Sequence, residues 1–258
     1  LRYAGAVLEW DQETYLPPRG AEIRARQLAT LASEAHALFT EPETGVLLEN
    51  LDSDTTLSGP QRVNVSRTLE DYRAQCKYPR AFVRELSLAT SASYHAWMEA
   101  RRQNDFRVFA PALSGMVELK RRQAALLGYT EHPYDALVDE YEKGMTVAQL
   151  DALFGEVRES LKKILDEIFV QPPPDDSMLH GRFERDKQWE LGISLLTAMG
   201  FDFSAGRQDI SEHPFTTNFN ARDVRLTTRI DERNFSDMTW SCIHEGGHGL
   251  YEQGLPFD

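Results

Sequence analysis

The chain has 258 residues and a mass of 29.4 kDa, enough for one large domain or two small ones. With 41% hydrophobic and 27% charged residues it can fill a core, and its two cysteines are too few for a disulfide scaffold. A net charge of -13 argues against a nucleic-acid binder and against docking on an anionic membrane, and no apolar run approaches a membrane span.

Most of the sequence reads as helix. Pro17-Pro18 breaks the N-terminal segment, and helices are expected at about 21–39, 60–77, 80–103 and 108–127. Gly59-Pro60 and Pro79 stand where proline is tolerated, near helix starts, and Gly128 reads as a C-terminal stop. The clearest helix runs from Thr146 to Phe169. Thr146 with Gln149 forms a capping-box start. Leu150, Leu153, Phe154, Val157, Leu161, Ile164, Leu165 and Ile168 then mark one stripe, expected to be buried, opposite Glu159, Lys162, Lys163 and Asp166. Gln171 to Asp176, with three prolines, is expected to be a surface loop within a domain rather than a linker.

Further helices are expected at about 185–199, stopped by Gly200, and at 237–253. Between them Val224 to Ile230 alternates and is rich in β-branched residues, which predicts a strand over 224–230. A lone strand needs partners, so a small sheet is expected beside the last helix.

His244-Glu245-Gly246-Gly247-His248 carries the chemistry. Residues i and i+4 stand about 40° apart around a helix, so both imidazoles project from one face, the spacing that two ligands of a tetrahedral zinc require. Glu245 sits beside the ligands but free of the metal. There it can take a proton from a water that the metal has made acidic, and return it to a leaving amine. The flanking Met238, Trp240, Cys242, Ile243 and Leu250 predict a buried, apolar helix, on which two histidines would need partners. Gly246 and Gly247 each cost roughly 1 kcal/mol in a helix, which makes sense where another segment or a substrate approaches closely. A third protein ligand is needed. Tyr251 and Gly254 stand where the metzincin pattern would place Gly and His, so that class is excluded.

The motifs together resemble those of the carboxypeptidase Taq family of zinc metallocarboxypeptidases. Trp10-Asp11-Gln12-Glu13-Thr14 with Pro17-Pro18 resembles its N-terminal signature, and His213-Pro214-Phe215 its HPF motif. Asp223-Val224-Arg225-Leu226-Thr227 is similar to its D-x-R-x-T motif, and His244 to His248 running into Tyr251-Glu252-Gln253-Gly254-Leu255-Pro256 to its active-site helix. The order and spacing agree along essentially the whole chain.

The resemblance implies a mainly α fold, a helical cleft like that of the neurolysin and angiotensin-converting-enzyme peptidases, with a small sheet near the active-site helix. It implies removal of single C-terminal residues from peptides with broad specificity, with His244 and His248 as zinc ligands and Glu245 as the catalytic base. One zinc per complete site is expected, with cobalt able to substitute. A homodimer is implied, and two distant cysteines fit a cytoplasmic location. Family members run to roughly twice this length. Their later motifs, including an H-E-S segment with the third ligand, are absent from the sequence. Residues 1–258 are therefore expected to be the N-terminal part of a single catalytic domain, truncated after the active-site helix and inactive alone.

Other residues weigh less. His213, Asp223, Arg225 and Thr227 are candidates for substrate binding or for orienting a ligand, Asp223 equally for pairing with Arg225 on the sheet. Asp223 or Arg225 is expected to approach the metal side. Trp10 and Trp240 read as core, Cys242 as a small buried hydrophobe, and Asp11 and Glu13 as a helix-end pair. An oligopeptide endopeptidase of the same architecture would share the two ligands and the base. A helical interaction module with an incidental motif is the non-enzymatic alternative, separable by zinc content.

Overall fold

The structure, a computed structural model, describes residues 1–256. In chain order the helices are α1 (Arg2–Thr14), α2 (Ala21–Phe39), α3 (Pro42–Asp52), α4 (Gly59–Gln75), α5 (Arg80–Gln103), α6 (Phe106–Leu127), α7 (Asp135–Val138), α8 (Val147–Phe169), α9 (Arg185–Met199) and α10 (Phe235–Gln253). The strands β1 (Gly206–Ile210), β2 (Thr216–Asn220) and β3 (Asp223–Thr228) all lie between α9 and α10. The mainly helical class and the small sheet follow the expectation. No helix among the described residues is long and apolar enough to cross a membrane.

The contacts divide the chain into two compact units, one of Leu1–Arg2 and Ala21–Gln171, the other of Tyr3–Gly20 and Pro172 onward. The proline-rich segment expected to be a loop within a domain thus begins where the two units divide.

In the first unit α2 and α6 both pack on α5. Tyr78, Phe82 and Leu119 form its buried cluster, with Val83, Leu86 and Met116 against it. The helix α3 was not expected, since its stretch is short and contains Gly45. That glycine is what lets α3 lie on α4: a Cβ there would come within 2.5 Å of the Tyr72 hydroxyl.

The helix α8 begins as expected, with Thr146 and Gln149 satisfying each other's end of the capping box. Its apolar stripe is not buried. No residue of α8 is buried, Phe154 is 58% and Leu161 50% exposed, and α8 makes no extensive packing with any other element. The apolar residues do share one face, but periodicity reports that a face is apolar and not what covers it. We expect Leu161→Ala to change the unfolding free energy of this chain by under ~0.5 kcal/mol in a urea titration, as for a surface site. A loss of about 2 kcal/mol or more, the range of a buried leucine, would show that the stripe is covered.

The second unit holds the sheet, in the order β1-β3-β2. The predicted strand 224–230 is observed as β3 over Asp223–Thr228, in the centre, parallel to β1 and antiparallel to β2. It is therefore not an edge. Both partner strands escaped the sequence reading, because β1 (Gly-Arg-Gln-Asp-Ile) and β2 (Thr-Thr-Asn-Phe-Asn) have no apolar alternation. Leu196, Phe201, Val224 and Leu226 form the buried cluster beneath α10, with Phe203 and Leu250 packed on it.

The other face of the sheet holds α1. Trp10, buried as expected, lies under two guanidinium groups, Arg225 at 4.4 Å and Arg207 at 5.2 Å from its ring. Arg207 also pairs with the buried Asp209 at 2.6 Å, to which the Tyr15 hydroxyl donates, and that bond holds the Tyr15 phenol above its ordinary pKa. These contacts fix the sheet from behind, so that its front can seat α10.

Candidate active site

The helix α10 starts where Asn234 Oδ1 accepts from Ser236 N–H at 3.0 Å, satisfying one of the free donors of the first turn. Its buried residues are Met238, Cys242, Glu245, Gly246 and Gly249, a single stripe at helical spacing. Two glycines set how deep this stripe sits. A Cβ on Gly246 would meet Leu196 Cδ2 of α9 at 2.7 Å, and one on Gly249 would meet Leu226 Cδ2 of β3 at 2.9 Å. Gly247, by contrast, faces open space. Cys242 is buried as expected, and burial pushes its thiol pKa up.

The flank is less buried than its composition suggests. Trp240 is 68% exposed and Ile243 is also exposed, so Trp240 is not core. His244 and His248 are exposed too, on the same outer face. Only the Met238, Cys242 and Gly249 side of α10 meets the protein, and apolar composition alone does not reveal which side that is.

The two histidine rings stand edge to face, 4.9 Å between centroids, with the Nε2 atoms 3.3 Å apart. Two nitrogens each about 2.0–2.1 Å from a tetrahedral zinc stand roughly 3.3–3.4 Å apart, so this pair already has the bite that the ion requires. Among the described residues, no group of three or more His, Cys, Asp or Glu side chains stands close enough to hold a metal ion. The pair therefore fits zinc as two ligands of an incomplete set.

Glu245 lies one residue from His244 but points inward and is 7% exposed. Its Oε2 accepts a 2.6 Å hydrogen bond from Thr216 Oγ1 at the start of β2. Two turns further along, the Asn218 amide donates to Glu252 Oε2. Phe215, Thr216, Thr217, Asn218, Glu245, His248 and Glu252 line one cavity of about 400 Å³.

The remaining sequence candidates fall elsewhere. Leu226 and Thr228 of β3 face α10, with Thr228 Oγ1 2.6 Å from Ser241 Oγ. Side chains alternate along a strand, so Asp223, Arg225 and Thr227 face away from α10. Arg225 pairs with Asp223 at 3.0 Å on that face, where its guanidinium also lies over Phe219. The expected approach of either residue to the metal side is not seen. Thr227 is buried, and its Oγ1 accepts from Phe215 N–H at 2.8 Å. The His213 side chain is exposed, while its carbonyl accepts from Ser211 Oγ at 2.6 Å. Thr216, Asn218 and Glu252 were missed by the sequence reading. A signal for Glu252 existed, since it lies seven residues, two helical turns, beyond Glu245; Thr216 had only its place directly after His213-Pro214-Phe215.

This chain thus carries an H-E-x-x-H helix set against a small sheet. The sequence profile of the carboxypeptidase Taq (M32) metallopeptidases matches residues 1–258, and the chain belongs to that family. It is 38% identical over 266 residues to Thermostable carboxypeptidase 1 of Thermus thermophilus, covering 98% of this chain and 52% of that protein. It is 36% identical to Carboxypeptidase 1 of Bacillus subtilis, covering 98% of this chain and 51% of the relative. Among solved structures, the one described as "The Structure of CHT" is 58% identical with a TM-score of 0.84, covering 99% of this chain and 52% of that one. The chain spans about half the length of the curated relatives it matches.

Proposed function

We propose that this chain supplies the metal-binding helix and catalytic base of a zinc-dependent metallocarboxypeptidase that releases C-terminal amino acids from peptides with broad specificity. The observation that carries the reading is the 3.3 Å separation of the His244 and His248 Nε2 atoms beside the inward-facing Glu245. Membership of the M32 family and relatives named carboxypeptidases support it.

His244 and His248 would hold zinc through Nε2, with a third ligand from outside the described residues. When bound, zinc supplies Lewis-acid polarisation of the scissile carbonyl. Glu245, fixed by Thr216, accepts the proton of the attacking water and delivers it to the departing amine. The edge strand β2, beside Glu245 and His248, is placed to add an extended peptide backbone to the sheet. A homodimer belongs to the same proposal, as does a cytoplasmic location, which two unpaired cysteines suit.

The test uses peptides with free and amidated C-termini. The enzyme with its zinc site complete and loaded should release the terminal residue only from the free form; internal cleavage of both would place it among oligopeptide endopeptidases. His248→Ala should weaken zinc binding by more than about tenfold in equilibrium dialysis, because it halves the preformed ligand pair. Undiminished affinity would remove His248 from the site.

A further inference from the structure

We infer that Thr216 is a positioning residue for the Glu245 carboxylate, an inference that rests on reading Glu245 as the base. A glutamate side chain has three rotatable torsions, and nothing within α10 fixes where its carboxylate ends. Thr216 Oγ1 stands 2.6 Å from Glu245 Oε2 and 3.2 Å from the Glu245 main-chain oxygen, so one hydroxyl reaches both the carboxylate and its own helical turn. Burial strengthens this contact and makes its loss costly, because a buried carboxylate without a donor keeps its desolvation penalty.

Thr216 is itself held from behind. It opposes Leu226 in the antiparallel register of β2 and β3. The preceding Phe215 is clamped to Thr227 twice, its N–H to the Thr227 hydroxyl oxygen at 2.8 Å and its C=O to the Thr227 N–H at 2.9 Å. The Ser211 and Thr227 hydroxyls stand 2.7 Å apart and close the turn that leads into β2. Thr227 therefore fixes Phe215, Phe215 fixes the start of β2, and Thr216 fixes Glu245. The central strand acts on the base through two threonines, although Thr227 faces away from α10. A preset donor leaves the carboxylate aligned before substrate arrives.

The variants Thr216→Val and Thr216→Ser test this. Valine keeps the branched shape and the strand preference but has no hydroxyl; serine keeps the hydroxyl. In protein labelled with [13Cδ]glutamate, the Glu245 resonance is assigned by its loss in Glu245→Gln. Thr216→Val should move that resonance and Thr216→Ser should leave it near the wild-type position. In an enzyme whose zinc site is complete, Thr216→Val should lower kcat by about tenfold or more, the scale of a lost bond to a charged group, with KM and zinc affinity within about twofold. Thr216→Ser should recover most of the rate. An unmoved resonance in Thr216→Val, a parallel loss of zinc affinity, or failure of serine to rescue would overturn the role of Thr216. Near-normal turnover in Glu245→Gln would instead overturn the assignment of the base, so the two failures are told apart.

Discussion

In an enzyme whose zinc site is complete, Glu245→Gln is expected to lower kcat by about 10²- to 10⁴-fold while zinc stays bound, the range ascribed to a positioned proton-transfer group. The substitution is nearly isosteric, and the glutamine carbonyl can still accept from the Thr216 hydroxyl. Neither the packing of α10 nor the 3.3 Å spacing of the two Nε2 atoms depends on the carboxylate charge. What is lost is a group that takes up a proton. The measurement is paired: steady-state hydrolysis of a peptide with a free C-terminus, and metal content by atomic emission on the same sample. A variant that keeps near-normal turnover would take Glu245 out of the mechanism. One that loses zinc as well would show that the carboxylate supports the metal.

The second large effect concerns the 258-residue polypeptide by itself, which is expected to hydrolyse no peptide. A hydrolytic zinc site uses three protein ligands and a water, and on the proposed reading His244 and His248 would supply two. No third donor joins them among the described residues. Affinity grows with a complete, preformed ligand set, so zinc should bind this polypeptide weakly. The assay is release of amino acids with added zinc or cobalt. Robust release, abolished by a chelator, would locate a third ligand within residues 1–258 and overturn the expectation.

The sequence made the histidine pair legible because it is local. The spacing of His244 and His248 on one helix is enough to aim two rings at one point, whatever the rest of the chain does. The starts of α5 and α8 and the stops at Gly128 and Gly200 were legible for the same reason, since caps are written within a few residues; both glycines have positive φ, at 79° and 96°. What escaped was non-local. The strand β2 is a polar Thr-Thr-Asn-Phe-Asn that becomes a strand because β3 offers it partners, and Thr216 meets a Glu245 that stands 29 positions further along the chain. The exposure of Trp240 and of the α8 stripe escaped because an apolar residue does not state which surface meets it.

The two glycines on the buried face of α10 separate what the helix owns from what the fold lends it. Both histidines ride on one rigid rod, one turn apart, so their mutual spacing travels with α10 wherever it goes. The alignment of Glu245 is different, because its partner hydroxyl belongs to the sheet. A side chain at Gly249 would press on Leu226 and Phe201 and lift the helix off its seat. Such a lift would carry the histidine pair along unchanged while drawing Glu245 away from Thr216. On the proposed roles, metal capture and proton transfer would be separable in this architecture: damage to the packing under α10 should erode turnover well before it erodes the grip of the histidine pair.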